Sequence, residues 1–413
     1  MPTAGVAAPG SATPFEWELP PGFPPPEVPA DNSMSAAKVA LGRVLFYDTR
    51  LSGNGSYACA SCHRRELAFT DGRAQALGST GERHPRSAMS LANVAYNATL
   101  TWSDPGLQRL EEQALIPMFG EHPVELGLAG RENELLERLR ADASLRASFA
   151  AAFPGDAGPI TVANVTRAIA SFERTLISGD SPYDRLVYRG EMEALSEPAW
   201  RGMRLFFSDR LACSSCHGGF LFSGPIRFAG GRAPPVVFHN TGLYNLDPSG
   251  AYPAPSRGLY DHTGRAADMG RFRAPTLRNI ALTAPYMHDG SVVDLRGVIA
   301  HYAAGGRTID GGPYRGVGRD NRHKSERLRG FTLAPGEEDD LLEFLHTLTD
   351  TRFVTDPRFA APLQARAPRR GRRRRACRRR RGAGCRGSGR GRAGTTAWSP
   401  SNPAPRPRCC CRC

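Results

Sequence analysis

The sequence predicts a mainly α-helical chain of two similar halves with long loops. Three observations carry that reading. Apolar residues recur at helical spacing in several segments, the pattern Cys-x-x-Cys-His occurs twice, and each copy lies between a leading helix and a set of closing helices. The 413 residues are enough for two or three cores.

Residues 1–33 are Pro-rich and are expected to run extended along the body. From Ser35, the segment AAKVALGRVLFYD has the helical period, and the first Cys-Cys-His follows in a polar, Gly-containing stretch. Ser90 to Tyr96 is mixed, and Leu107 to Leu115 reads as a short helix. Glu132–Phe153 and Thr161–Ile177 are the clearest amphipathic helices of the first half, which closes at the Gly179–Pro182 break. Ser196-Glu-Pro-Ala then opens a helix with a Ser N-cap and an early Pro, running through Phe207 into the second motif. Residues 223–290 are rich in Gly, Pro and Asn, a composition that at this length suits a loop wrapped round a cofactor. Ser291 is expected to cap a helix ending at Gly305-Gly306, and Pro335-Gly-Glu-Glu-Asp-Asp starts the last helix with acids that complement its dipole.

The net charge of +14 is misleading as a sign of nucleic-acid binding. Residues 365–413 hold 17 Arg, no Lys and no acid, and the rest of the chain carries −3. The body is therefore not basic, which excludes nucleic acid as its default partner. The run RRGRRRRACRRRR has the composition of an anionic-surface tail. Arg without Lys, mixed with CCCRC, follows no functional logic and reads instead as translation out of frame. Six of the ten cysteines lie in this tail, and the two motifs use the other four. A disulfide scaffold is excluded. No stretch approaches the ~18 apolar residues of a membrane span, and the N-terminus shows no basic and apolar regions of a signal peptide.

Cys59-Ala-Ser-Cys62-His63 and Cys213-Ser-Ser-Cys216-His217 each have the form that attaches a c-type haem. The two thiols add across the vinyl groups, and the adjacent His becomes the proximal iron ligand. Zinc would leave both histidines unexplained, and a redox dithiol would need neither. Two haems c are expected, and the sixth ligand of each iron decides its chemistry. Candidates are Met89, Met118, Met203, Met269, Met287, Tyr302 and the non-proximal histidines, although each residue type serves more often in packing.

The first motif followed by LAFTDGR, SLANVAYN, LEEQALIP and HPVELG resembles the bacterial di-haem cytochrome c peroxidase/MauG family. So do GMRLFFSDRLACSSCHGGFLFSG and FRAPTLRNIALTAPYMHDGS in the second half. The resemblance covers roughly residues 30–357, and PMFGEHPVELGL and FHNTGLYNLDPSG look most like MbnH-like di-haem enzymes of copper gene clusters. It implies two cytochrome-c-like haem domains, an N-terminal one at 34–190 and a C-terminal one at 191–357. Residues 1–33 would then be an extension and 358–413 a disordered tail.

By this resemblance the haem at Cys59, Cys62 and His63 reacts with peroxide, in a distal pocket matching Gln113, Pro117 and Glu125. Heterolysis of a bound peroxide needs a base that takes one proton and returns it to the leaving oxygen, and of these three only Glu125 can do so. The Pro117-to-Glu125 spacing is two residues longer than in MauG-like relatives. Trp102 matches the tryptophan between the haems, in TWSD where FWDG is usual. Tyr302 of His301-Tyr302-Ala-Ala-Gly305 matches the MauG-type ligand to the second iron, where conventional peroxidases use Met. Ser87 stands where the family places an Asn ligand to a calcium ion.

The implied function is a MauG/MbnH-like peroxidase-type oxidoreductase. Hydrogen peroxide would generate a high-valent two-haem state that oxidises a residue of a protein substrate, by likeness to MbnH a tryptophan of an MbnP-like copper-binding partner converted to kynurenine. The alternative is a conventional di-haem peroxidase fed by a small cytochrome or cupredoxin. A non-enzymatic electron carrier would need a strong distal ligand at the first haem, for which His84 is the histidine in the adjacent loop. Haem attachment in this family implies a periplasmic location, so the lack of a visible signal peptide reads as a mis-started gene model.

Overall fold

Helix α1 (Ala36–Phe46) begins where the Ser35 hydroxyl accepts a hydrogen bond from the Lys38 amide, and Leu41, Leu45 and Phe46 turn inward. The structure, a computed structural model, describes residues 15–232 and 235–362. These are mainly helical, as expected. The sheet content is two antiparallel pairs of two-residue strands: β1 (His239–Asn240) with β2 (Arg271–Phe272), and β3 (Thr308–Ile309) with β4 (Gly316–Val317).

In the first half α1 is followed by α2 (Cys59–Cys62), α3 (Leu110–Gln113), α4 (Leu115–Phe119), α5 (Glu132–Arg140), α6 (Ala143–Ala152) and α7 (Val162–Glu173). Then come α8 (Pro182–Arg189), α9 (Glu197–Phe206), α10 (Tyr260–Thr263), α11 (Leu295–Ala303), α12 (Glu337–His346) and α13 (Thr351–Thr355). Ser196 caps α9 through its hydroxyl, as expected, and Thr161 caps α7 in the same way. Two expectations need correction. The helix expected over Glu132–Phe153 breaks at Asp142, whose carboxylate accepts from the Ser144 and Leu145 amides and starts α6. Asp294, not Ser291, caps α11 by accepting from the Gly297 amide, while the Ser291 amide donates to Asp289.

The two halves use the same helix packing. Helix α1 crosses α7 at Gly42, where an added Cβ would lie 1.8 Å from the Ala168 carbonyl oxygen. Helix α9 crosses α12 at Gly202, with the same 1.8 Å to the Asp340 carbonyl oxygen. A first core gathers Leu41, Phe46, Phe69, Leu135, Phe149 and Phe172, and a second gathers Phe206, Phe222, Ile299, Leu341 and Phe344. Arg278 lies fully buried, its guanidinium paired with both Asp184 oxygens at 2.7 and 2.8 Å and its Nε donating to the Phe220 carbonyl.

Both termini of the described body are tied down. Phe23 packs edge-on against Tyr96, Tyr188 and Phe220, so the Pro-rich segment lies along the body. Phe353 and Phe359 join the first core, and Tyr47 and Arg43 bond the carbonyls of Phe359 and Ala360. The chain therefore stays packed past 357, where the tail was expected to begin. The remainder of that tail, like residues 1–14, lies outside the described residues.

Gly202→Val places side-chain atoms against a backbone carbonyl that cannot rotate away, so α9 and α12 must separate. The expected loss is about 2–3 kcal/mol of stability, read from the denaturant midpoint of the haem-loaded protein.

Candidate functional site

After each Cys-Cys-His the chain turns back on itself, forming the bridges Arg64 to Thr70 and Gly218 to Ser223. Phe69 (φ +63°) and Phe222 (φ +49°) adopt left-handed backbone in these turns. Their carbonyls meet the histidines: His63 Nδ1 lies 2.9 Å from the Phe69 oxygen, and His217 Nδ1 lies 3.3 Å from Phe222 and 3.1 Å from Pro275. A carbonyl facing Nδ1 requires the proton there. That leaves the Nε2 lone pair free, which is the tautomer a metal-ligating histidine uses. Burial lowers both histidines, His217 to about 4, so both rings are neutral. Burial also raises all four thiols, Cys62 to about 12 and Cys213 to about 11.

Around the second motif lies a cavity of about 500 Å³, lined by Cys213, Cys216 and His217, by Tyr302 of α11, and by Leu295, Ile299 and Leu345. This is the size range of a cofactor pocket. Tyr302 is near enough to both cysteines for their charges, after burial, to raise its phenol further. It keeps some accessible surface because it faces the cavity. Met89 and Met287 line the same space, whereas Met118 packs in the first core and Met203 and Met269 pack against the second.

Arg273 tests what this cavity suits. It is 4% exposed, its Nε has no partner, and its Nη2 faces the Met89 sulfur at 3.6 Å. Among the described residues no carboxylate pairs with it, and burial lowers it to about 10. A buried guanidinium on the wall of a mostly apolar cavity fits a planar apolar group with carboxylates at its edge. Haem, with its two propionates, is such a group.

At the first motif the loop after α4 folds back. The Leu126 amide donates to the Pro117 carbonyl at 2.8 Å, and the Ser79 amide donates to the Glu125 carbonyl at 2.6 Å. Glu125 is thereby held between α4 and the loop carrying His84, whose Nε2 lies 4.0 Å from its Oε1. Burial raises the Glu125 carboxyl to about 7, and its charge reaches Cys59 and Cys62. The fold thus brings Pro117, Glu125, His84 and the first motif together. Gln113, half-buried at the end of α3, sits one helical turn before Pro117.

Trp102 lines the second cavity, and its indole N–H donates to the Ser87 carbonyl at 3.1 Å. The Ser87 hydroxyl donates to the Met287 carbonyl and its amide to the His288 carbonyl. Ser87 therefore fastens Trp102 to the Met287–His288 segment. Among the described residues no group of three His, Cys, Asp or Glu side chains is arranged for a metal ion.

Sequence reasoning missed Arg273, the Phe69 and Phe222 carbonyls, and the stacking of His288 on Phe272 at 3.7 Å and 14°. It also missed Glu173, a buried acid raised to about 8 whose charge reaches Cys59. One cue was available: LAFT and FLFS follow the two histidines at nearly equal distance.

Comparison with known proteins agrees with this geometry. A family model for di-haem cytochrome c peroxidases matches residues 36–193. The cytochrome-c peroxidase IdrP1 of Denitromonas iodatirespirans is 35% identical, over 84% of this chain and 91% of its own length. The chain belongs to the di-haem cytochrome c peroxidase/MauG family. The methylamine utilization protein MauG of Methylophilus methylotrophus is 33% identical over 78% of this chain and 84% of its own. A crystal structure of a MauG-like protein associated with microbial copper homeostasis matches with a TM-score of 0.82 and 50% identity, covering 84% of this chain and 99% of that one. The diheme peroxidase BthA of Burkholderia thailandensis shares the fold, at 24% identity and a TM-score of 0.60. Membership makes this chain a peroxidase-type oxidoreductase and implies two c-type haems.

Glu125→Gln is expected to slow the reaction of the haem-loaded protein with peroxide by about 10²–10⁴-fold. The unsubstituted protein should react faster as pH rises through about 7, where the Glu125 carboxylate forms, and the variant should lose that rise. Stopped-flow absorbance across pH measures both.

Proposed function

We propose that this chain is a MauG/MbnH-like enzyme of the periplasm that uses hydrogen peroxide to oxidise a residue of a partner protein. The partner is a copper-binding, MbnP-like protein, and the residue a tryptophan that becomes kynurenine. The single observation that carries the reading is Tyr302 in the cavity of the second motif. A phenolate is anionic and favours oxidised iron, and a metal cation keeps a phenol deprotonated near neutral pH despite its burial. The likeness to a MauG-like protein associated with microbial copper homeostasis supports the partner class.

When bound, the two haems supply the iron that reacts with peroxide and holds its oxidising equivalents. The residues divide the remaining work. His63 and His217 present Nε2 as proximal ligands, and their Nδ1–H groups stay on backbone carbonyls. Glu125 takes the proton from the attacking peroxide oxygen and returns it to the leaving one. Gln113 orients the peroxide by hydrogen bonding, and Pro117 borders its site. Trp102 passes electrons between the two halves, 34–190 and 191–357. Converting tryptophan to N-formylkynurenine withdraws four electrons, so two peroxides are consumed per residue, and hydrolysis then releases formate. Met89 and Met287 in the same cavity favour a second reading, a conventional peroxidase in which a thioether ligates the second iron and a small redox protein donates electrons.

Stoichiometric peroxide added to the all-ferric protein, matured with both haems, should change the Mössbauer spectrum of both irons without prior reduction. Tyr302→Met should make the reaction depend on prior reduction of one haem. A native protein that ignores peroxide until reduced would overturn the proposal in favour of the conventional peroxidase. Mass spectrometry of the copper-binding partner after turnover should show tryptophan converted to kynurenine.

A further inference from the structure

A file of aromatic rings leads from the second cavity to the surface. Trp102, Phe272 and His288 line the cavity. The Trp102 and His288 rings are 6.5 Å apart between centroids, and His288 stands 6.5 Å from Tyr252. Tyr252 meets Tyr244 at 5.5 Å, and Tyr244 meets Tyr314 at 5.6 Å, both edge to face. Among the described residues these are the only two tyrosine–tyrosine ring contacts. Tyr252 and Tyr244 are buried at 3% and 6%, and Tyr314 is 46% exposed. It sits in the turn between β3 and β4, a hairpin fastened by the Asn245 side chain bonding the Val317 carbonyl.

We propose that Tyr252, Tyr244 and Tyr314 form a hole-transfer route from the Trp102 wall of the second cavity to the surface. Tyr314 is the exit, where an oxidisable aromatic side chain of the partner protein delivers its electrons. The inference rests on the functional reading above and adds where the electrons enter.

Tunnelling between rings falls off exponentially with the gap, so several ring-contact steps conduct where one long step does not. Oxidising a neutral phenol also requires that its proton leave. The Tyr244 hydroxyl donates to Asp289 Oδ2 at 2.5 Å, and that carboxylate can take the proton and give it back. The Tyr252 hydroxyl donates to the neutral amide oxygen of Asn240, which is no base, so Tyr252 acts as a bridge rather than a stopping point. The exposed Tyr314 phenol loses its proton to water. In one passage an electron moves from the partner residue to Tyr314, then to Tyr244, and then through the Tyr252 and His288 rings to Trp102. Meanwhile the Tyr244 proton shuttles to Asp289 and returns. Two passages supply the two electrons that, with two protons, reduce one hydrogen peroxide to two waters.

The test adds peroxide to the haem-loaded full chain without partner, in the presence of a nitroso spin trap. Haem absorbance is followed, and trapped radicals are mapped by peptide mass spectrometry. The expected result is an adduct on Tyr314. Tyr244→Phe keeps the ring but loses the hydroxyl, so it should abolish that adduct and lengthen the life of the peroxide-oxidised haem spectrum without changing its rate of formation. Tyr314→Phe should lose the adduct at that position and keep the same rate of formation. A Tyr314 adduct that persists in Tyr244→Phe would overturn the route. So would an unlabelled Tyr314 in a native protein whose haem spectrum responds to peroxide. A spectrum that does not respond at all would overturn the functional reading, and the route with it.

Discussion

Each motif histidine faces the carbonyl of a phenylalanine held in left-handed backbone, joined at His217 by the carbonyl of Pro275. That conformation costs a residue with a side chain of order 1–3 kcal/mol, and it persists only where packing over-determines it. Phe69 is wholly buried against Phe46 and Phe353, and Phe222 against Phe206 and Phe344. The core therefore holds the backbone, the backbone fixes the Nδ1 proton, and the proton position decides that Nε2 is the atom free to bind iron. The chemistry of both halves depends on this short chain of causes. It explains why a large apolar ring follows each motif where a turn alone would take glycine.

On this repeated frame the two halves acquire different electrostatics. The first has a carboxyl raised by burial beside its motif, and the second has a phenol and a buried guanidinium in its cavity. The helix crossings at Gly42 and Gly202 are interchangeable in geometry. The side chains facing the motifs are not. A carboxyl near 7 is suited to moving protons at neutral pH, whereas a phenol suits the stabilising of oxidised metal. The division of labour is thus written in a few side chains on loops and helix ends, and the supporting helices carry none of it.

Much of this was legible in the sequence, because the interactions concerned are local. Ser35, Thr161 and Ser196 bond amides three residues on, so their caps can be read directly. The same locality misled at α11, where Ser291 and Asp294 can both cap and only the packing of Leu295 and Ile299 selects the later start. The motif cysteines and histidines were visible from spacing, and Gln113, Pro117, Glu125, Trp102 and Tyr302 from family likeness. Arg273 and His288 were not. Their positions depend on contacts such as the Arg273 amide with the Trp102 carbonyl and His288 against Phe272, between segments with no periodicity to report their pairing. The return of Phe359 to the first core was equally hidden, since a short turn after α13 gives no cue to which core it rejoins.

Arg273 also bears on where a positive hole can rest. Its guanidinium shares the cavity wall with Trp102, and burial leaves that charge poorly screened. An indole radical cation beside it is disfavoured by like charge until an anion compensates the arginine, and haem propionates are the anions this cavity suits. Tyr244 differs, because its proton can pass to Asp289 as its electron leaves, so the oxidised ring stays neutral. A hole on Tyr244 therefore adds no net charge to the interior, whereas one on Trp102 depends on how far the propionates offset Arg273. In such an enzyme the residues that select a protein substrate need not line the cavity at all, because on the proposed route the substrate has only to meet the exposed ring at its end.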